Sequence, residues 1–288
     1  MYSIEENKFK NAISPRLMNP KPQQIEPPIV ELVICAQFAH LPRLTTGHYG
    51  LFWKELGEEW VDSLDGSLIE DRFEVFGKGS LPFQMDEAIR LTPLNVPGRI
   101  MFVHKNKDLL LQIQGTRFLL NWRKSDKEYP SYDRLKAEFQ ILYGLFEGFC
   151  KNHKVGELLI NQWELTYVDS FPKDQLWKSP NQWGQILPGI FAKLLSADDL
   201  NLRLDQRAAQ WSFEITPERG RLHLNAHSAM IAGALQETLL LTMTARGPVS
   251  KKDKSSHQQG LDLGHETILN AFKRLVDPDL IQAWGLDS

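Results

Sequence analysis

The sequence predicts an α+β protein in which two similar β-α-β-β-β-α halves form one curved antiparallel sheet with helices packed on one face. Residues 30–38 alternate apolar and polar side chains, which is the pattern of a strand with one buried face. The frame from Glu31 to Phe38 recurs at 164–171, with Glu, Leu and Phe at matching places. The offset from Glu31 to Glu164 is here called the repeat offset. Each half also has the same order of predicted elements, so the sequence favours an internal duplication.

Composition bounds the class of protein. A chain of 288 residues can bury a large core, and 42% hydrophobic with 24% charged residues is typical of soluble globular proteins. The net charge of −3 does not indicate a polyanionic partner. Cys35 and Cys150 have no CxxC spacing, which favours reduced, buried thiols. No apolar run is long enough to cross a bilayer, so we expect a cytoplasmic protein without a membrane partner.

The chain divides into three predicted parts. Residues 1–26 are polar and interrupted by prolines, which is typical of a flexible leader. Residues 27–155 form the first predicted α+β half, and residues 156–288 form the second.

The first half begins with the strand at 30–38 and continues into a helix at 48–60, whose aromatic side chains fall on one face. Residues 61–98 are rich in proline, glycine and charge without a sustained period, which predicts a long irregular connection that could hold a functional loop. Three strands then form a meander over 100–122. Ser131 is the expected N-cap of the next helix, which is predicted to end between Gly148 and Lys154.

The second half repeats this order. Its first strand precedes a helix that begins at Pro180 and is interrupted at Pro188. The final helix is predicted at 261–276, with Pro278 marking its stop. Four further strands are predicted between these helices, at 200–204, 209–215, 220–226 and 238–244.

The two halves align element by element. The last helices align at the repeat offset, whereas the strands before them align at a shorter offset, which matches Arg123 with Arg246. This order resembles the TATA-binding-protein-like fold, in which two halves place their first strands side by side. Helices would then cover one face of the sheet, and the other face, or a cleft at the pseudo-twofold axis, is the natural binding surface.

A family resemblance covers nearly the whole chain. It is carried by PPIVE at 27–31, LFW at 51–53, QGTRF at 114–118, NWRK at 121–124, YPSY at 129–132, ELTY at 164–167, LTMTARG at 241–247, LDLGHE at 261–266 and WG at 284–285. With these runs the chain resembles a sporadically distributed bacterial family of uncharacterised proteins. The resemblance implies no reaction and no catalytic residue. The patchy distribution implies mobile or defence-associated gene neighbourhoods.

Neither a metal site nor a catalytic site is predicted. His223 and His227 would share one face of a helix, but the alternation around them predicts a strand, in which they lie about 13 Å apart. One zinc ion cannot bind both at that separation. The chain has no nucleophile elbow, Walker loop or dinucleotide-binding fingerprint between a strand and a helix. We therefore expect no metal, no cofactor and a non-enzymatic protein.

Two basic clusters lie between the last strand and the last helix of the two halves. Arg and Lys beside aromatic rings can bind phosphates and stack on bases, so the clusters are a candidate nucleic-acid or partner-binding clamp. The alternative is a pair of solvated basic turns, because nearby Asp and Glu residues dilute their charge. The candidate residues are Trp122, Arg123, Lys124, Lys127 and Tyr132 in the first half and Arg246, Lys251, Lys252 and Lys254 in the second.

The sequence thus favours a cytoplasmic interaction protein whose partner is another protein. The antitoxin, sensor or adaptor component of a defence-like module would fit this description. The alternative function is nucleic-acid binding through the two basic clusters. An enzyme with a pocket between the sheet and residues 61–98 is a third hypothesis.

Overall fold

The structure, a computed structural model, describes residues 26–77, 98–125, 129–191, 204–231, 236–250, 253 and 255–286. These residues contain nine β-strands and five α-helices. The strands are β1 (Ile29–Phe38), β2 (Trp60–Gly66), β3 (Arg99–His104), β4 (Leu109–Gln114), β5 (Arg117–Arg123), β6 (Ile160–Pro172), β7 (Ala208–Ile215), β8 (Gly220–Ile231) and β9 (Gln236–Pro248). The helices are α1 (Thr46–Leu56), α2 (Tyr132–Asn152), α3 (Trp183–Ile186), α4 (Ser256–Leu275) and α5 (Pro278–Ala283).

All nine strands pair antiparallel in one sheet, in the order β2-β3-β4-β5-β1-β6-β9-β8-β7. The predicted α+β class is therefore confirmed. β1 and β6 are neighbours, and Val33 lies opposite Thr166. On the outer side of β1, Glu31 faces Arg123 of β5. On the outer side of β6, Glu164 faces Arg246 of β9.

Side chains alternate between the two faces along each strand, and helices cover the face that receives the apolar ones. Apolar side chains of β1, such as Leu32 and Ile34, are buried on this face. The ring of Phe146 on α2 lies 5.1 Å from Phe52 of α1 and 5.4 Å from Phe118 of β5, measured between centroids. The interlocked aromatic rings form one continuous apolar core between the helices and the sheet.

Two glycines let α4 approach the sheet closely. A Cβ atom at Gly260 would lie 2.2 Å from the indole of Trp163 on β6, and one at Gly264 would lie 2.9 Å from the same ring. Trp163 is fully buried. The glycines therefore make the space in which this large ring packs beneath the helix.

Some predicted boundaries were wrong. The first helix ends at Leu56 rather than at Trp60, and Trp60 begins β2. The rest of β2, at 61–66, was predicted as irregular connection because Trp60 is its single buried residue and the strand has no periodic signal. The helix expected from Pro180 is a 3-10 turn at Pro180–Gln182 followed by the short α3, which ends before Pro188. Pro278 does follow the end of α4, but it also opens α5 at a favoured first-turn position. Ser131 is the N-cap of α2, as predicted. The leader up to residue 25 and the strand predicted at 200–204, except residue 204, lie outside the described residues.

Candidate interaction surface

The face of the sheet opposite the helices, here called the open face, carries polar side chains that are nevertheless buried. Among them, Gln112 donates to Asn121 at 2.6 Å. Residues 67–77, which form no helix or strand, cross this face from β4 to β8 and are here called the strap. The buried polar side chains of the open face include Gln37, Gln112, Gln114, Arg117, Asn121, Gln162 and Arg246.

The strap enters the open face at β4 and β5. Gln114 at the end of β4 accepts from the N–H of Ile69 at 2.9 Å and donates to its carbonyl at 2.8 Å. Arg117 at the start of β5, whose exposed fraction is 1%, donates to the carbonyl of Glu70 at 2.8 Å. Side chains of the sheet thus bind the main chain of the strap.

The same mode of contact continues across the two central strands. Gln37 of β1 accepts from the N–H of Arg72 at 3.1 Å. Gln162 of β6, in the amide orientation that satisfies both of its polar atoms, accepts from the N–H of Glu74 at 3.1 Å and donates to the carbonyl of Gly247 at 3.2 Å. Amide side chains can bind any extended backbone in this way, because they contact groups common to all residues.

The strap ends in a carboxylate site on β8 and β9. The side chain of Glu74 is buried. Its carboxylate accepts hydrogen bonds from Arg221 at 2.7 Å and from Nε of Arg246, and Nε2 of His223 lies 2.7 Å from the same carboxylate. Burial raises the pKa of Glu74, but the hydrogen bonds from His223, Arg221 and Arg246 outweigh it and lower that pKa to about 2. Arg221 also donates to the carbonyl of Val75 at 2.7 Å. Glu74 is therefore an ionised anchor.

The charges of the strap complement those of the sheet beneath it. Arg117 lies 3.5 Å from Glu164 and 3.8 Å from Asp71 of the strap, and Arg246 lies 3.3 Å from Glu164. Arg117 and Arg246 thus share the carboxylate of Glu164 in the sheet, and Arg221 is paired with Glu74 of the strap. The strap supplies two more carboxylates, those of Asp71 and Glu74.

The outer surface of the strap has the opposite character. Phe73 and Val75 flank Glu74 and are 56% and 54% exposed, and Leu68 is also exposed. An extended chain alternates its side chains, so the inward position of Glu74 turns its apolar neighbours outward. Leu64 of the adjoining β2 is exposed as well.

Trp122 and Tyr132, two residues predicted to stack on a ligand, lie in the core. Trp122 is 2% exposed, with its ring 5.0 Å from that of Tyr129. Tyr132 is 4% exposed and stacks on His265 with a centroid distance of 4.0 Å. Trp122 and Arg123 are consecutive residues of β5, so their side chains point to opposite faces of the sheet.

The predicted basic residues that the structure describes are paired with carboxylates. Arg123 lies 3.0 Å from Glu31, and Lys124 lies 2.6 Å from Glu26. Arg246 joins Glu74 and Glu164, as described above. The other four predicted lysines, Lys127, Lys251, Lys252 and Lys254, lie outside the described residues.

A polar cluster that the sequence did not reveal lies on the helix-covered side. Tyr167 of β6 contacts His265 of α4 through its hydroxyl at 2.7 Å. Burial lowers the pKa of His265. Asp169 is buried two residues further along β6, its Oδ2 atom has no hydrogen-bond partner within the described residues, and burial raises its pKa to about 8.

In the described parts of the chain, no group of three or more His, Cys, Asp and Glu residues is arranged to hold a metal ion. His223 lies on a strand, as predicted, and contacts Glu74 and Ser212 rather than His227. None of the helices described is long and apolar enough to span a bilayer.

No protein-family model and no curated protein matches the chain. The sequence gives little indication of the strap, because the residues that bind it are distant in the chain. Glu74 meets Arg221 across 147 residues and Arg246 across 172. Its one local signal was the alternation of Phe73, Glu74 and Val75.

Proposed function

We propose that this chain is a non-enzymatic interaction protein that binds another protein through the strap-covered open face of its sheet. It would serve as the antitoxin, sensor or adaptor component of a defence-like module. The observation that carries the proposal is the orientation of the strap. Its carboxylate and backbone groups are bound by the sheet, while Leu68, Phe73 and Val75 face outward. Exposed apolar side chains with a polar rim are characteristic of protein interfaces.

We further propose that the sheet consists of two copies of one ancestral half in a TATA-binding-protein-like arrangement. The pairing of the central strands supports this. Val33 lies opposite Thr166, its own equivalent at the repeat offset. Leu32 accordingly faces Tyr167, the equivalent of Ile34. This register is what a pseudo-twofold axis between β1 and β6 requires.

Two further pairs support the same axis. Glu31 and Glu164 are equivalent at the repeat offset. Glu31 faces Arg123 on β5, and Glu164 faces Arg246 on β9, which agrees with the alignment of these two arginines in the sequence. In the helical layer, Tyr132 of α2 stacks on His265 of α4, which is again its equivalent at the repeat offset. An axis that passes through both layers makes the open face a single surface built from both halves.

Copurification tests the interaction. The native protein, tagged and crosslinked in its host, should recover a second protein. The double variant Phe73→Ser with Val75→Ser should reduce that recovery at least tenfold, because it removes the apolar outer surface of the strap without touching Glu74.

Ile141→Ser is the matched control, since Ile141 is 67% exposed on α2, away from the strap. Its recovery of the second protein should equal that of the wild type. Recovery of the chain alone under crosslinking, or equal recovery by the Phe73 and Val75 double variant, would contradict the proposal.

Nucleic-acid binding is the second candidate, favoured by the matched positions of Arg123 and Arg246. The pairing of both guanidinium groups with carboxylates makes it the weaker of the two. If it is correct, Arg123→Ala with Arg246→Ala should weaken binding to DNA or RNA and flatten its dependence on salt concentration. An unchanged salt dependence would exclude these arginines as phosphate contacts.

A further inference from the structure

We propose that the groove beneath the strap is a peptide-binding site, which accepts an extended acidic segment of the partner protein in exchange for the strap, while Phe73 and Val75 of the displaced strap stay in contact with that partner. This inference rests on the proposed function, because it names the chemistry of the segment that the partner contributes. The strap is then a ligand that the chain supplies to itself.

The groove has the contacts that recognition of an extended peptide requires. Gln114, Gln37 and Gln162 bind main-chain groups of Ile69, Arg72 and Glu74, and these contacts do not depend on the side chains of the bound segment. Such contacts give affinity for any extended chain.

Specificity comes from the carboxylates. Arg221 and Arg246 bind the carboxylate of Glu74, and Arg117 lies next to Asp71 three residues earlier. The groove therefore selects an extended segment with two acidic residues at this spacing.

The strap is suited to exchange because polar groups hold much of it. It belongs to no helix and to no strand of the sheet, and three of its apolar side chains are exposed. Segments that bury little apolar surface open at a small fraction of the free energy of global unfolding.

An empty groove is costly, so exchange is favoured over simple release. The guanidinium of Arg117 is buried beneath the strap. Removal of Asp71 and Glu74 would leave Arg117 and Arg246 to share Glu164 and would take from Arg221 the carboxylate that it binds. A charge without its partner in a shielded site is strongly unfavourable. The incoming segment must therefore bring carboxylates of its own.

A synthetic, fluorescein-labelled peptide with the sequence of residues 67–77, SLIEDRFEVFG, tests the groove in trans. Its Kd for the full chain is measured by fluorescence anisotropy, for the wild type and for Glu74→Gln. We expect a Kd at least tenfold lower for Glu74→Gln, because this variant weakens the strap that competes within the same chain.

Two controls match this experiment. Glu70→Gln makes the same chemical change at an exposed side chain of the strap and should bind the peptide with the wild-type Kd. A peptide with Asp71→Asn and Glu74→Gln should bind at least tenfold more weakly than the unchanged peptide.

A second readout uses the wild-type protein only, so it does not depend on the folding of a variant. At saturating peptide, displacement of the strap should speed tryptic cleavage after Arg72 at least tenfold. The proposal would be overturned if the peptide fails to saturate either protein, if the peptide with Asp71→Asn and Glu74→Gln binds equally well, or if cleavage is unchanged at saturation. So would a wild-type dimer that Glu74→Gln abolishes, because the exchanged segment would then come from a second copy.

The proposed function and this inference fail in different ways. Recovery of a host protein together with no peptide binding would refute the groove and leave the interaction. Peptide binding with no host protein recovered under crosslinking would refute the interaction and leave the groove.

Discussion

The two faces of the sheet are covered in different ways. On one face, helices bury apolar side chains such as Phe146, Phe118 and Phe52 against each other. On the other face, an extended segment lies over buried Gln and Arg side chains and is held by hydrogen bonds and ion pairs. Apolar burial supplies most of the stability of folding, whereas polar contacts supply direction and specificity.

This difference separates stability from recognition. A cover made by apolar packing cannot leave without unfolding the domain, because its removal exposes the core to water. A cover made by hydrogen bonds can be replaced by another segment that offers the same groups. The helix-covered face therefore maintains the fold, and the strap-covered face is the part available for exchange.

The largest expected effect is on the helix-covered face. Phe146→Ala should lower the free energy of unfolding by about 3–5 kcal/mol, because it leaves a cavity among packed rings. Phe73→Ala on the strap should change it by less than about 0.5 kcal/mol. Chemical denaturation measures both. Similar losses for the two variants would remove the distinction between the faces.

The second largest effect is expected on the pH dependence of the free energy of unfolding, to which the buried Asp169 contributes. Burial raises its folded pKa to about 8, so the folded state keeps a proton that the unfolded chain loses near pH 4. Its contribution to stability is therefore fully present below about pH 4 and is lost as pH rises to about 8.

Asp169→Asn should remove this slope and stabilise the protein at pH 8 by a few kcal/mol, on the order set by such a pKa shift. Denaturation curves from pH 4 to pH 8 provide the measurement. A variant that keeps the wild-type pH dependence would show that another group carries it.

A smaller effect is expected where α4 approaches the sheet. Gly260→Ala should lower the free energy of unfolding by about 1–3 kcal/mol, since the new Cβ would overlap the indole of Trp163. Gly144→Ala is the matched control on α2, where nothing lies within 4 Å of the new Cβ, and it should stabilise by about 0.5–1 kcal/mol. The same sign for both variants would contradict this account of the packing.

The smallest effect is confined to the strap. Because the pKa of Glu74 is lowered to about 2, its anchoring is fully present above about pH 4.5 and is lost as pH falls toward 2. Pepsin should therefore cleave the strap at Phe73 and Phe76 increasingly as pH falls through this range, relative to free peptide. For Glu74→Gln, the rate of strap cleavage relative to that of free peptide should be the same at every pH in this range. A relative rate that does not change with pH in the wild type would contradict the role of Glu74 as an anchor.

Elements with local signals were predictable from the sequence. The alternation of β1 and the N-cap at Ser131 depend on neighbouring residues, and both are present. The predicted repeat of strands and helices rests on the same kind of signal, but the structure describes four strands, β2 to β5, between α1 and α2 and three, β7 to β9, between α3 and α4. β2 and the strap have no such period, and their positions are set by pairing with distant residues.

The candidate site was only partly predictable, for the same reason. The basic side chain of Arg246 marks it as a candidate, but its partner Glu74 belongs to a segment that has no periodic pattern. Trp122 adjoins Arg123 in the sequence, but consecutive residues of a strand face opposite sides of a sheet, and Trp122 lies in the core. Residue type indicated the chemistry, and the topology decided which face received it.

Native-state hydrogen exchange compares the two faces most directly. The amides of Ile69, Arg72 and Glu74 bond to Gln side chains of the sheet, whereas the amides of α2 and α4 lie in helices over the core. We expect the strap amides to exchange at least a hundredfold faster, through a local opening that low concentrations of denaturant do not affect. Strap amides that exchange as slowly as those of α4, with the same dependence on denaturant, would contradict the exchangeable strap.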